Sequence, residues 1–332
     1  INFNKVTIDS DIKKNVKKSL LGHISGSGPY SKKCEKLIEK QLKVKKALLV
    51  TSCTHALEAS AILLNISKGD EVIVPSYTFV SSALAFHMRG AKIVFADVKG
   101  DTFNIDERSI EKLITKKTKA ICVVHYSGVS ANMDKIMKIA KKNKIFVIED
   151  NAHGYGAEFK GKKLGSIGHL GTLSFHATKN FTCAEGSALL INDSSLIKRA
   201  KIIIEKGTNR LAFLSNEVKK YEWVDKGSSY IISDILASIL YSQLLNSKEI
   251  LQKRKKIWNI YFKNLSNLYQ TQTIPKNCSQ GYHIFSILFK DKHIAQNFIQ
   301  YMRKNKITVK KHYTDLSTSP FSLKKIQNQK VC

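Results

Sequence analysis

The sequence predicts an α/β protein built on a mostly parallel sheet, and two observations carry that prediction. Short apolar runs with strand character recur at Ala47–Val50, Glu71–Val74, Lys92–Ala96, Ala120–Val124 and Phe146–Ile148. Helix-like stretches separate them at Thr54–Leu64, Val80–Arg89, Glu107–Ile114 and Met133–Lys142. Strand and helix in regular turn make βαβ units, whose strands are covered on both faces and so read as continuous apolar runs. The length bears on domain number. A chain of 332 residues with 43% hydrophobic content can bury a large core, and one large plus one small domain is the natural division.

Taken in order, the chain opens on a polar segment and a helix over Lys13–Leu20. A turn with three glycines and a proline follows, Gly22 to Pro29, and then an amphipathic helix over Tyr30–Leu42. The turn serves either as a loop whose backbone can approach a ligand or as a plain connector. After the alternating region come two further apolar runs, Gly171–Phe175 and Ala188–Ile191. The smaller domain begins near Ser233–Leu240, with one long helix over Asp234–Trp258, a strand over Tyr282–Phe289 and a helix over His293–Lys304. The division is 1–235 and 236–332.

The net charge of +29 raises nucleic-acid binding, but only six of the 55 basic residues are arginine. The lysines are spread along the whole chain, whereas nucleic-acid sites favour arginine forks in a concentrated patch. No specific nucleic-acid partner is expected, and Lys116–Lys117, Lys141–Lys142 and Lys253–Lys256 read as solvated faces. No apolar run approaches the roughly 18 residues of a membrane helix, so no membrane partner is expected. The six cysteines, Cys34, Cys53, Cys122, Cys183, Cys278 and Cys332, show neither CxxC pairing nor metal-like spacing with histidine. A reducing, cytoplasmic compartment and no metal site are expected. Cys183 is a reactive thiol or a small packing residue.

In parallel sheets chemistry gathers at the carboxyl ends of strands. After the first strand, Thr51-Ser52-Cys53-Thr54-His55 opens a helix, which is an anion site or an ordinary N-cap. After the second, Pro75-Ser76-Tyr77-Thr78-Phe79 offers an aromatic ring for stacking or for the core. After the fifth, Glu149-Asp150-Asn151-Ala152-His153 places a carboxylate where burial demands a partner: a protonated ring nitrogen, or a structural hydrogen bond. Between the last two apolar runs lies Lys179, flanked by small and polar residues. It is either a desolvated nucleophile or an exposed loop lysine. Each feature alone is weak. Together and in this order, they are the parts a pyridoxal phosphate site needs: an anion-binding helix start, a stacking ring, a carboxylate and a lysine.

Three segments carry a closer likeness: Pro75–Phe79, Glu149–His153, and Ser174-Phe175-His176-Ala177-Thr178-Lys179-Asn180 with Ala184-Glu185-Gly186. Over about Gly26 to His312 the chain resembles the DegT/DnrJ/StrS nucleotide-sugar aminotransferases. The resemblance implies an aspartate-aminotransferase-like fold (fold type I), a three-layer large domain with a seven-stranded sheet, and a smaller C-terminal α+β domain. It implies that Lys179 bonds to the cofactor aldehyde and moves protons, and that Asp150 keeps the pyridine nitrogen protonated. Phe79 would stack on the ring and His153 would lie near its hydroxyl. Thr54, the His55 backbone and Ser174 would hold the phosphate. Relatives supply an Asn from the partner subunit; here Ile231 aligns with it, and Ser228 or Ser229 is the expected substitute. Asn209, Arg210, His312 and Tyr313 would contact the substrate.

Two stretches, Glu205–Arg210 and Tyr221–Tyr230, resemble the branch that makes dTDP-4-amino-4,6-dideoxygalactose from dTDP-4-dehydro-6-deoxyglucose and L-glutamate. That branch supplies surface polysaccharides such as enterobacterial common antigen and O-antigens. The resemblance further implies a homodimer with the site at the interface. Lysine at 179, where the dehydratase branch has histidine, implies amino transfer. Asp315 and Ser317 stand where the family has Pro and His, and Ser187 replaces a Gly. The family pattern continues past Cys332, so the small domain is expected to be incomplete. A related keto-sugar aminotransferase and an inactive truncated homologue are the alternatives.

Overall fold

In the computed structural model, which describes residues 1–6 and 8–326, the apolar runs assemble into one sheet. Cys332, and with it the end of the expected smaller domain, lies outside the described residues. In chain order the first half comprises α1 (Ser10–Leu21), α2 (Pro29–Leu42), β1 (Lys46–Val50), α3 (Cys53–Leu63), β2 (Glu71–Pro75), α4 (Ser81–His87), β3 (Lys92–Ala96), α5 (Glu107–Leu113), β4 (Thr118–Val124), α6 (Met133–Asn143) and β5 (Phe146–Asp150). Two short strands follow, β6 (Glu158–Phe159) and β7 (Lys162–Lys163), then β8 (Leu170–Ser174), β9 (Ser187–Ile191), α7 (Ile197–Ile204) and α8 (Arg210–Leu214). The last third has α9 (Asp234–Leu245), α10 (Ser247–Leu265), β10 (Gln270–Thr271), β11 (Cys278–Ser279), β12 (Ile287–Leu288) and α11 (Lys292–Lys304).

The main sheet has seven strands in the order β1-β9-β8-β5-β4-β2-β3. All neighbours are parallel except β9, which runs antiparallel to both β1 and β8. The two-residue period of a strand sorts its side chains between two cores. Leu48 and Val50 join Val72, Val74, Cys122 and Ile148 under α3, α4 and α7. Ala47 and Leu49 face the other way, with Ala188 and Leu190, under α2 and α9. Further along that second face, Ile73, Ile121, Val123 and Val147 pack beneath α5 and α6. Helices on both faces give the three-layer arrangement.

Two expectations change. The long helix over Asp234–Trp258 is two helices, because Asn246 (φ −92°, ψ 13°) ends α9 and starts α10. Asn favours such end positions, since its side chain competes for backbone hydrogen bonds. α10 then runs on to Leu265. The strand over Tyr282–Phe289 is reduced to β12, paired with β10, because residues 281–284 hydrogen-bond into the larger unit instead. The expected boundary at 235/236 falls within α9, whose Ala237, Leu240 and Leu244 share a cluster with Leu49 and Phe175.

The glycine-rich turn is a packing device. Asp234, fully buried, accepts from Tyr30 N at 3.1 Å and from Ser31 N and Oγ at 2.7 and 2.8 Å, so it caps α2 from across the fold. A Cβ at Gly28 would lie 2.5 Å from Asp234 Cγ and 2.3 Å from the His23 ring.

Candidate active site

The site forms where β1, β2, β5 and β8 end. At the end of β1, Ser52 adopts extended backbone (φ −156°, ψ 160°) and its hydroxyl accepts from His55 N at 3.1 Å, capping α3. That commits the His55 amide. The amides of Cys53 and Thr54 remain, in a first turn without intrahelical acceptors, to face an anion. The Thr54 hydroxyl pairs with that of Ser81 at 2.7 Å. Ser174, also expected at the phosphate, ends β8 opposite Ser187, and its hydroxyl lies 3.5 Å from the His176 amide.

β5 ends in two carboxylates on opposite faces. Glu149 is fully buried and accepts from Gly165 N at 2.9 Å, Ile167 N at 2.6 Å, Gly168 N at 2.6 Å and His125 Nε2 at 2.9 Å. Asp150, also buried, accepts from Ser82 Oγ at 2.7 Å and Ala152 N at 3.2 Å. Ser82 in turn pairs with Thr78 Oγ1 at 3.0 Å. With Ser82 donating to Asp150, its oxygen accepts from Thr78. The hydroxyls thus form a directed chain ending on the carboxylate.

Lys179 lies in the connection from β8 to β9, a turn closed by Ala177 N to Ala184 O and Lys179 N to His176 O bonds. Among the described residues its Nζ makes no hydrogen bond or contact ion pair. Burial lowers its pKa below the ordinary lysine value, against the pull of Cys53 and Asp150, which favour the charged form. An amine that is neutral more readily than usual, and unpaired, is a nucleophile. The Cys53 thiol, 3.4 Å from Thr172 Oγ1, is pushed up to about 12 by burial and by the Asp150 charge, so it stays protonated.

Aromatic and imidazole rings wall this space. His153 is buried, and its Nδ1 accepts from Ser127 N at 3.2 Å, which leaves Nε2 to carry the proton. His283 packs against it with ring centroids 4.5 Å apart and the planes tilted by 37°. Burial drives both imidazoles well below the usual histidine pKa, and Lys179 adds to the effect. His312 is lowered for the same reasons and stacks on Tyr313 at 4.5 Å. Tyr313 meets Tyr77 at 5.8 Å and Phe79 at 6.3 Å between centroids. Burial and the Asp150 charge raise its phenol. Phe79 is 57% exposed, so its ring is open to a stacking partner rather than absorbed into the core.

The structure therefore brings together Lys179, Asp150, His153, Phe79, Thr54, His312 and Tyr313. His55 and Ser174 lie at the same strand ends, and the other four are bonded within their own segments. Both polar ends of the Asn209 side chain are spent on its own loop, on Lys220 O at 2.9 Å and Glu222 N at 2.8 Å. Arg210 pairs with the fully buried Glu205 at 3.1 Å. Ser228 and Ser229 are exposed, with backbones paired to Ile203, Lys206 and Glu205. No hydrogen bond among the described residues ties them to Lys179 or Thr54. Ser82 and His283 were not singled out by the sequence, nor was Tyr126, whose ring centroid lies 6.1 Å from that of His153 and 6.0 Å from that of Tyr313, and Asn180 entered only as part of the motif around Lys179. A pair of serines opening an otherwise apolar helix was the one available signal for Ser82; His283 carried none.

The donor set fits pyridoxal phosphate. It offers free helix-start amides beside hydroxyls for a phosphate, a held carboxylate for a pyridinium, an exposed ring, and an unpaired amine. Residues 6–331 match the DegT/DnrJ/EryC1/StrS aminotransferase family model. The chain is 38% identical over 304 residues to the uncharacterized protein MJ1066 of Methanocaldococcus jannaschii, covering 89% of this chain and 78% of that one. It is 32% identical over 309 residues to GDP-perosamine synthase of Escherichia coli O157:H7, covering 93% and 83%. The PLP form of the putative sugar aminotransferase Spr1654 from Streptococcus pneumoniae superposes with a TM-score of 0.91 at 26% identity, over 98% of this chain and 87% of that one. On its sequence, its fold and the residues gathered at its strand ends, the chain belongs to the DegT/DnrJ/EryC1/StrS aminotransferase family.

Proposed function

We propose that the chain is a pyridoxal phosphate-dependent aminotransferase that carries the amino group of L-glutamate to the keto carbon of a nucleotide-linked sugar. The observation that carries this reading is the unpaired, desolvated Lys179 amine beside the Asp150 carboxylate at the strand ends. Pyridoxal phosphate, when bound, supplies an aldehyde that takes up the amino group and a ring that accepts electrons. Lys179 Nζ is the group able to take a proton from a carbon acid and return it. Asp150, its charge held by two donors, stabilises a protonated nitrogen. His153, neutral, presents its Nε2–H as a donor. Glutamate leaves as 2-oxoglutarate, and the keto sugar leaves with the nitrogen as an amine. The same residues serve both halves, so one site suffices for a two-step exchange.

The likeness of Glu205–Arg210 and Tyr221–Tyr230 to the dTDP-sugar branch supports dTDP-4-dehydro-6-deoxyglucose as acceptor and surface polysaccharide as destination. The likeness to GDP-perosamine synthase supports a GDP-linked acceptor instead. Exposed Leu214 (60%), Trp223 (81%) and Val224 (50%) support a homodimer that covers them. Five free cysteines among the described residues support a reducing compartment. The test is absorbance of the cofactor-loaded protein: glutamate shifts the band to that of the amino form, and the correct keto sugar nucleotide restores it. Failure of glutamate to shift the band, or loading of Lys179→Ala with normal turnover, refutes the reading.

A further inference from the structure

We propose that His283 is a positioning residue for Lys179, through which the C-terminal third of the chain fixes the turn that carries the reactive amine. This rests on Lys179 being that amine. The path is a run of hydrogen bonds. Arg254, on α10, donates from Nε to Tyr282 O at 3.0 Å and from Nη2 to His283 O at 2.7 Å, which sets the backbone of this segment. The same segment is stitched to the far side of the site by Ser127 Oγ to Ile284 O at 2.9 Å and Gly281 N to Gly128 O at 3.1 Å. From it, Gly281 O and His283 Nδ1 grip the two ends of the Asn180 carboxamide, at 2.5 and 3.0 Å. Asn180 follows Lys179 directly.

The polarity of this grip is settled by its chemistry. Asn180 Nδ2 donates to the Gly281 carbonyl, so Asn180 Oδ1 is an acceptor and His283 Nδ1 must bear a proton. His153 has the opposite tautomer, because its Nδ1 accepts from Ser127. The two adjacent rings thus present complementary faces, each nitrogen assigned by a backbone-anchored partner, and burial keeps both neutral. The charged and titratable groups around them are Lys179, Arg254, His312 and Tyr126, and Asp150 and Cys53 act in turn on Lys179. Neither ring can gain a proton without placing a second cation beside the lysine. A neutral clamp keeps the turn closed and water away from Nζ without adding charge.

The test separates hydrogen bond from bulk and needs no turnover. The apparent pKa of Lys179 is read in the cofactor-free protein from the pH dependence of its acylation, followed by peptide mass spectrometry. His283→Phe keeps a ring against His153 but loses the bond to Asn180. His283→Asn keeps a donor near the Nδ1 position but loses the ring. The expected result is a Lys179 pKa about one unit higher, toward the ordinary value of about 10.4, in H283F but not in H283N. In the loaded enzyme, kcat should fall about tenfold in H283F with the sugar KM within about twofold of wild type, and H283N should recover most of it. Asn180→Ala cuts the same link from the lysine side and must reproduce the H283F shift. Wild-type titration of Lys179 in N180A or in H283F overturns the proposal. Equal shifts in H283N and H283F assign His283 a merely structural role and overturn it too. Borohydride trapping of the cofactor on wild-type Lys179 tests the underlying reading separately.

Discussion

Replacing Ser82 by Ala should weaken cofactor binding although Ser82 is expected to touch no cofactor atom. The serine hydroxyl is the shorter of two donors to the Asp150 carboxylate, at 2.7 Å against 3.2 Å for the Ala152 amide. A hydrogen bond to a charged group contributes about 1.5–3 kcal/mol. The upper half of that range applies, because Ser82 is fully buried and Asp150 only 6% exposed, so water cannot take the place of the lost donor. At about 1.4 kcal/mol per factor of ten, the carboxylate loses support equivalent to roughly 40- to 140-fold in any equilibrium that needs it ionised and in place. The assay is an absorbance titration of cofactor-free protein with pyridoxal phosphate, beside a thermal melt. Ser81→Ala is the control: it removes a neutral hydroxyl pair with Thr54, about 0.5–1.5 kcal/mol, and leaves Asp150 untouched. S82A binding the cofactor within about twofold of wild type would show that the directed hydroxyl chain does not prepare Asp150.

Asp150→Asn preserves shape but removes the charge, and kcat should fall about 10²- to 10³-fold, the usual cost of losing one preorganised electrostatic partner; steady-state kinetics checks it. Lys179 has a folded pKa below its unfolded value, so the unfolded chain binds more protons and stability rises with pH between the two. Lys179→Met should therefore stabilise the cofactor-free protein at pH 7, with the gain vanishing above about pH 10.4, as urea melts at several pH values would show. His153, His283 and His312 are likewise lowered, so stability should drop as pH falls below about 6.5, and H283N should flatten that slope. Gly28→Ala should cost about 1–3 kcal/mol, since its methyl meets Asp234 and the His23 ring within 2.6 Å. A melt of G28A against wild type reads it directly.

The sheet was legible because its strands are buried on both faces, and a run such as Ala120–Val124 has no other way to be so apolar. Lys179, Asp150 and Phe79 were legible because strand ends are where a parallel sheet exposes side chains, and each departs from its apolar surroundings. The break at Asn246 was not, because one polar residue between two helical stretches is as common within a helix as between helices. His283 was hidden for a different reason. Its segment alternates like a strand, yet its hydrogen bonds go to Ser127, Asn180 and Arg254, which lie 157, 103 and 28–29 residues away along the chain. Periodicity reports local burial and carries no information on such distant partners. The same limit applies to Asn209 and Arg210, whose partners Lys220, Glu222 and Glu205 are set by a turn rather than by a pattern.

The two carboxylates ending β5 show how the scaffold and the chemistry divide one short motif. Adjacent strand residues point to opposite faces, so Glu149 and Asp150 cannot share an environment. Glu149 gathers three backbone amides from residues 165–168 and the Nε2–H of His125, whose Nδ1 is occupied by the Ala131 amide. Four donors on one fully buried side chain fix the loop that leads into β8, and β8 leads directly into the turn bearing Lys179. Asp150 has two donors and faces the site. A carboxylate saturated by the protein stabilises structure, and one left partly unsatisfied retains capacity for a cationic partner. The register between β5 and β8, Asp150 opposite Thr172, then converts the rigidity supplied by Glu149 into a fixed relation between Asp150 and the lysine. Motif and fold are in this sense one device: the glutamate holds the frame in which the aspartate and the lysine can act on the same molecule.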